Sequence, residues 1–571
     1  MMFYPSIFNR DTELPRMQSY VEDMMSVEAN PSIGFDEAYT SAHTGAVAGS
    51  TAYGAATYSI CLWCYTDVIY FQGISAITSS RFTFASSAPG VKIVEAVGTS
   101  GTTESPTYLN PISVSGTAVV GSGTLFLTES AVGGSILVNG QRRYITAIAD
   151  DEHLTIAAAL SGDYTGEDFK FLGASNGWTI SSGSTVLLPT TYRIDPSDPE
   201  YFQTTLSLRS YLYDAALALI VAAKSGNTTL GNRIVDSIAT SITNTDAGLG
   251  TTGACPFSND VYDLTQGDLT VVRSGAAAWV GYALLVYYET TAYAAALTQA
   301  EKIATYLLTL QIAAGTPNDF RAGLIRGGQD SAVEKTWISV EHNVDCYYFF
   351  KRLHSVTGTA SYATTMSEIK AGLLTNCYDA TLGRFIQGTE STNKDYAEAL
   401  DCYSWAGCFL LDAEESAKAI VVANQMVTKF LVTGKTIELE NTLPQYFNQK
   451  YYVSKLIDGV RTYTTTTDGE TADSYVLPPS TAWQEGAQGV LMFFDRLKSE
   501  NLHGSVTDFE ATYQRIEAGQ ATIYQATDDG SFLAWTGSDR ILPYEFQVWK
   551  TMTPTCWCWL RLKHPNTVFS R

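Results

Sequence analysis

Charge is scarce in this chain. Asp, Glu, Lys and Arg together make up 16% of its 571 residues, against roughly a quarter in ordinary soluble domains. The 35 Lys and Arg form no cluster and are outnumbered by 58 acids, for a net charge of -23. That excludes nucleic-acid partners and anionic membrane surfaces, which are held by neutralising phosphate with a basic patch. Histidine is almost as rare: six scattered residues exclude a histidine-rich metal centre. Nine cysteines, an odd number spread thinly, make no disulfide framework and read mostly as buried thiols. Cys61 and Cys64 form a lone CxxC with no second pair and no nearby histidine, so chance spacing explains them better than zinc. No metal and no cofactor is expected. The longest apolar helical runs, such as GAAAWVGYALLVYY from Gly275, fall short of the roughly 20 residues that cross a bilayer, so no membrane insertion is expected. The N-terminal MMFYPSIFNRDTELPRM lacks the charged and apolar regions of a signal peptide and is expected to be retained. P-loop, GxSxG and HExxH patterns are missing as well, and with them the nucleotide, serine-hydrolase and zinc-protease readings.

What is present is apolar and small. Hydrophobic residues reach 45% and aromatics 12%, with 45 Gly and 34 Tyr, which suffices for packed cores. A surface of Gly, Ser, Thr and Tyr suits a secreted or particle-bound protein. The length exceeds one core, so a multidomain chain is expected. Residues 1–110 read as a β-rich N-terminal arm with little core of its own, from short alternations such as YSICLWCYTDVIYF. Residues 111–175 read as a small antiparallel β-barrel or sandwich, with Asn139-Gly140 between alternating apolar runs as a hairpin turn. This stretch, with G-T-x-F before V-N-G-x-x-R-x-I and a closing L-T-I, resembles a β-module of bacteriophage tail and virion proteins. A linker with Pro189, Pro196 and Pro199 spans residues 176–200.

From residue 201 to 571 the apolar period becomes helical and the segments pair. Six nearly all-apolar segments, holding Asp214, Trp279, Asp345, Asp401, Glu485 and Trp557, read as inner helices, since a helix apolar all round must be surrounded by protein. Five amphipathic stretches between them read as outer helices. Ala521 to Pro543 reads as strands and loop, so one hairpin is expected to be incomplete. The chain here resembles the six-hairpin glycosidases, through S-x-E-H-N-x-D at Ser339–Asp345, L-D-x-x-x-W at Leu400–Trp405, W-x-E-G at Trp483–Gly486, and T-x-W with N-x-x-F across Thr555–Phe569. The resemblance implies an all-α (α/α)6 toroid around a central cleft.

Glu341 and Asp345 are four apart and share a helix face. Carboxylates beside an apolar helix are costly to bury unless paired or used. Glu485 and Asp401 stand at the starts of two other inner helices, and a toroid would bring them to the same end, as a paired-carboxylate hydrolase requires. The competing account is structural: Glu341 capping a first turn and His342 satisfying a core hydrogen bond. Asp214 is a lesser candidate, since first-turn acids often only cap. Trp337, Trp405 and Trp483 offer stacking faces for sugar rings beside His342. Arg326, and Arg273 before Ser274-Gly275, sit in Gly-rich loops where a guanidinium could hold a substrate anion.

The expectation is a phage virion protein of tail or surface, in an extracellular particle. Its N-terminal region would bind other virion proteins in an oligomeric assembly, and its toroid would bind and hydrolyse a host polysaccharide. Two alternatives stay open: a non-catalytic glycan-binding or structural subunit, and a polysaccharide lyase using His342, Asn343 or Tyr347 as base.

Overall fold

The computed structural model describes residue 8 and residues 10–25, 108–172, 186–193, 206, 209–440, 450–464, 482–536 and 549–563, apart from 123, 125, 130–134, 139, 140, 332 and 528. It adds backbone fragments of strand at 47–48, 59–61, 70–72, 77–78, 83–84 and 178–179. Most of the expected β-rich arm, the side chain of Cys61, Cys64, Asn139, Gly140, Pro196, Pro199 and the N-x-x-F of Asn566–Phe569 lie outside the described residues.

Twelve helices of the described residues build one closed ring. They are α1 (Arg10–Asp23), α2 (Leu212–Ser225), α3 (Thr228–Leu249), α4 (Ser274–Thr291), α5 (Ala294–Thr309), α6 (Val340–Thr357), α7 (Ala360–Gly372), α8 (Ser404–Asp412), α9 (Ser416–Phe430), α10 (Gln484–Ser499), α11 (Phe509–Thr527) and α12 (Met552–Lys563). Helices α2, α4, α6, α8, α10 and α12 form the inner barrel, each packed on the next and α12 on α2. Their composition requires this: every residue from Asp214 to Ala223 in α2, and from Met552 to Leu562 in α12, is buried. Outer helices α3, α5, α7, α9 and α11 each pack on the inner helix before them. Gly226, Gly250 and Gly358, at φ 78°, 69° and 70°, close α2, α3 and α6 in the left-handed conformation that turns the chain back.

The sixth outer helix comes from the opposite end of the chain. Helix α1 packs against α12, burying Leu14, Met17, Tyr20, Val21 and Met24, a stripe at spacings of three and four. The Arg16 guanidinium lies 5.7 Å from the Tyr524 ring centre, and Asn227 Nδ2 donates to Glu22 Oε1 at 3.1 Å. This corrects two expectations. Residues 10–23 are not part of a β arm, and no hairpin is incomplete. Pro15 hides the helix, because a proline inside a helix removes a donor and clashes with the preceding turn. Likewise α11 continues to Thr527, well into the stretch expected as strands and loop.

The middle of the linker is also part of the toroid. Val186 and Leu188 are buried, Leu187 N donates to Val261 O at 2.8 Å, and Tyr192-Arg193 pair antiparallel with Lys550-Thr551.

Ahead of it stands the small β domain: β1 (Tyr108–Ser115), β2 (Ala118–Val120), β3 (Ser135–Val138), β4 (Gln141–Asp150), β5 (His153–Ile156) and β6 (Tyr164–Leu172). They close a barrel in the order β5-β2-β1-β6-β3-β4. Val138 faces Gln141 across the expected two-residue hairpin. The interior, with Ile112, Val114, Val119, Phe126, Ile136, Ile145 and Phe169, is a core separate from that of the toroid. Arg143 links the two: it is 3% exposed and its Nη2 donates to Ser19 Oγ of α1 at 2.6 Å.

Candidate active site

One recurrent local pattern positions the site. Short strands Arg209–Tyr211, Val271–Arg273, Ile338–Ser339, Ala482–Trp483 and Lys550–Thr551 run directly into α2, α4, α6, α10 and α12. Four of these junctions, those opening α2, α4, α6 and α10, bring Tyr213, Arg273, Glu341 with His342, and Trp483 with Glu485 to the wall of a cavity of about 400 Å³ at the end of the barrel where these helices begin. The cavity contains Glu341, Asp345, Asp401 and Glu485, four of the five acids singled out in the sequence, together with Trp337, His342, Trp405 and Trp483. Tyr213, Phe257, Arg273 and Trp279 complete most of the wall.

The four acids come from three elements. The cap of α6 is Ser339, whose hydroxyl accepts from His342 N at 3.4 Å, so Glu341 is not needed as a cap and faces the cavity. Asp345, one turn further, is 5% exposed; the Trp279 indole bonds to its carboxyl, yet its Oδ1 has no hydrogen-bond partner. Asp401 lies in a single 3-10 turn, Leu400–Cys402, just ahead of α8 rather than inside it. Glu485 sits in the first turn of α10 and accepts a 2.6 Å hydrogen bond from Tyr213 Oη, which accepts one of 2.9 Å from Trp557 Nε1.

The aromatic wall depends on close backbone approach. A Cβ at Gly327 would lie 2.3 Å from Trp337, and one at Gly489 only 1.9 Å from Trp405. Trp483 pairs across strands with Trp535, the rings stacked at 5.6 Å and 13°. His342 is fixed by Ser274 Oγ, 3.1 Å from its Nδ1, and by the Trp337 ring at 5.7 Å.

Crowding four acids into a shielded space makes them hold protons. Burial pushes Glu341 up to about 7 and Glu485 up to about 8, the Tyr213 bond restraining the latter. Burial and then the Glu341 charge drive Asp345 and Asp401 well above the usual carboxylate range. Burial, with Arg273 behind it, lowers His342 to about 4 and keeps the ring neutral near pH 7. Among the described residues no group of three or more His, Cys, Asp or Glu is arranged to hold a metal.

Four readings are corrected. Arg326 is outside the cavity, bound to Glu334 and to the carbonyls of Leu310 and Thr309. Asp214 is beneath the wall, accepting from the hydroxyls of Thr191 and Thr553 and so tying the former linker and α12 to α2. Asn343 is consumed by the backbone of Ile325 and Ser339, and Tyr347 donates to Asp412 at 2.8 Å; neither lines the cavity. Tyr213 is the residue that sequence reasoning missed. Its signal was adjacency: it shares the first turn of α2 with Asp214, about 100° around the helix.

No family model matches the chain, and no curated protein is similar to it in sequence. Solved structures are similar in shape. A cellobiose 2-epimerase from Bacillus thermoamylovorans is 10% identical with a TM-score of 0.43, over 66% of this chain and 92% of its own. A glycoside hydrolase family 76 mannosidase from Bacteroides thetaiotaomicron is 11% identical with a TM-score of 0.39, over 62% and 87%. An unsaturated glucuronyl hydrolase from Bacillus sp. GL1 is 9% identical with a TM-score of 0.38, over 62% and 85%. These are likenesses of (α/α)6 architecture at low identity, and the chemistry below is taken from the cavity itself.

Proposed function

We propose that the cavity binds a glycan and hydrolyses one of its glycosidic bonds. The observation that carries this reading is the convergence of Glu341, Asp401 and Glu485, from three different hairpins, on one aromatic-lined space. Of the four acids Glu485 has both a raised pKa, about 8, and a fixed orientation through Tyr213. It is the general acid: protonated near pH 7, it gives its proton to the leaving oxygen. Glu341, raised by burial to about 7, ionises near neutral pH and faces Glu485 across the same cavity; it is the carboxylate that activates water or attacks carbon. Asp345 and Asp401, whose carboxyls burial and the Glu341 charge drive upward, line the same cavity and offer hydrogen bonds to sugar hydroxyls. Glu485→Gln and Glu341→Gln keep the size and remove the ionisable group; each is expected to lower turnover by about two orders of magnitude or more while glycan binding persists. Reducing ends released from bacterial surface polysaccharide measure this, and wild-type turnover in both variants would move the protein to the non-catalytic alternative.

A lyase reading has one observation in its favour, the neutral, Ser274-oriented His342 as a candidate base. Lyase products absorb in the ultraviolet and hydrolase products do not, so absorbance measured alongside reducing ends separates them.

The place of action is a proposal of the same kind: a phage-type particle, to which the β-rich N-terminal region attaches the toroid in several copies. The barrel's resemblance to virion modules supports it. Mass spectrometry of particles purified from a producing culture tests it, and absence of the chain from them removes the attachment role.

A further inference from the structure

We infer that a second cavity, apart from the four acids, holds a sugar unit of the same glycan chain beyond the bond that is cut, an inference that rests on the reading of the acidic cavity as a glycan site. This second cavity has a volume of about 380 Å³, close to that of the first, and lies between the loop after α5 and the C-terminal end of α7. Two-residue turns join α4 to α5 and α6 to α7 and reverse the chain, so both segments return to the end of the ring where the acids stand. Phe320 supplies an aromatic surface: Lys394 Nζ rests 4.9 Å from its ring centre, and the residue is still 37% exposed. Around it the side chains of Asn318 and Thr375, together with Asn376 Oδ1 and Glu368 Oε1, have no hydrogen-bond partner among the described residues. Asp319 is neutralised by Arg321, whose Nε and Nη2 donate to it at 3.0 and 2.8 Å. Thr375 and Asn376 stand on a single turn of π-helix, Leu373–Cys377, a distortion that recurs at functional sites. A pyranose ring fits this set: its C–H face leaves water against an aromatic ring, and its hydroxyls meet convergent polar groups. The lining holds no Lys or Arg, which leaves an anion without a counter-charge. The two cavities are joined through Arg321, whose Nη1 donates to Thr336 O at 2.8 Å, and Thr336 precedes Trp337 of the acidic cavity. A glycan leaving that cavity past Trp337 meets Phe320 next.

The test is affinity electrophoresis of the full-length protein in native gels that contain, one at a time, bacterial capsular polysaccharides and lipopolysaccharide O-chains. Glu485→Gln serves as the parent, so that no polymer is cut during the run. At least one polymer is expected to retard this parent. Phe320→Ala, and Thr375→Arg, which fills the cavity from its rim, are each expected to weaken that binding about tenfold. In the active enzyme the same two changes are expected to raise KM for the polymer, while turnover of its di- and trisaccharide fragments stays within about twofold. Polymer binding unchanged in both variants, or fragment turnover falling as far as polymer binding, overturns the inference and leaves the sugar-site reading standing. No retardation by any polymer removes both. Phe320 and Thr375 are exposed, and melting curves check that each variant folds; should one fail, the other decides.

Discussion

Tyr213 and Glu485 illustrate how one hydrogen bond tunes a site. The phenol donates to the carboxyl at 2.6 Å and is itself aligned by Trp557, so the bond favours the ionised form of Glu485 and works against burial. Removing it in Tyr213→Phe should raise the Glu485 pKa further above its value of about 8. If Glu485 is the acid, activity falls as pH rises through that pKa, so the alkaline limb of the pH–rate profile should move to higher pH in the variant. A limb that stays in place, or moves down, would detach Tyr213 from catalysis. The four acids were legible because a carboxylate at or near the start of an otherwise apolar helix has few structural uses. Asp214 satisfies the same rule and yet is a tie point for Thr191 and Thr553; its partners lie 23 and 339 residues away, which no local pattern reports. Arg326 failed for a similar reason, its acceptors being backbone carbonyls of the preceding helix.

At the level of elements, helices buried on all sides announced themselves by composition, and the outer ones by period. The exception is α1. Its apolar stripe from Leu14 to Met24 was present, but Pro15 and a sequence distance of more than 500 residues from α12 concealed both its helicity and its partner. The packing around it is tight: a Cβ at Gly530, where φ is +86°, would lie 2.4 Å from Arg16 O. Met17 is fully buried on this interface. Met17→Ala should therefore lower unfolding free energy by about 2–5 kcal/mol, the range for emptying a core site. Chemical denaturation followed by far-ultraviolet dichroism measures it, with the helical signal of the whole toroid falling in one transition. Loss of only one helix's worth of signal, at unchanged midpoint for the rest, would show α1 to be an appendage rather than a ring member.

Across the whole molecule, closing the ring with α1 forces the chain to fold the barrel as an insertion between the first helix and the rest of the toroid. The barrel keeps its own core, and the site lies at the mouth of the ring. That site concentrates groups that bind protons more tightly folded than unfolded: Glu485, Glu341, Asp345 and Asp401. For such groups the native state carries more protons than the unfolded chain, whose carboxyls ionise near pH 4, so stability falls as pH rises through the folded pKa values. His342 works in the opposite sense, but only where the unfolded imidazole charges, below about pH 6.5. Between about pH 7 and 8 the carboxyls dominate the slope, and above that the buried cysteines, whose thiols burial pushes up, add to the fall as the unfolded thiols ionise. Each extra proton held by the native state contributes at most about 1.4 kcal/mol per pH unit, and the part of Glu341, Asp401 and Glu485 that opens to cavity water is screened below that. Unfolding free energy from urea titrations should accordingly decline from about pH 7 to 8, and Glu485→Gln, which has no proton to lose, should flatten the decline. A flat wild-type profile across that window would mean that the four acids are already ionised at neutral pH, leaving the cavity with no proton to deliver.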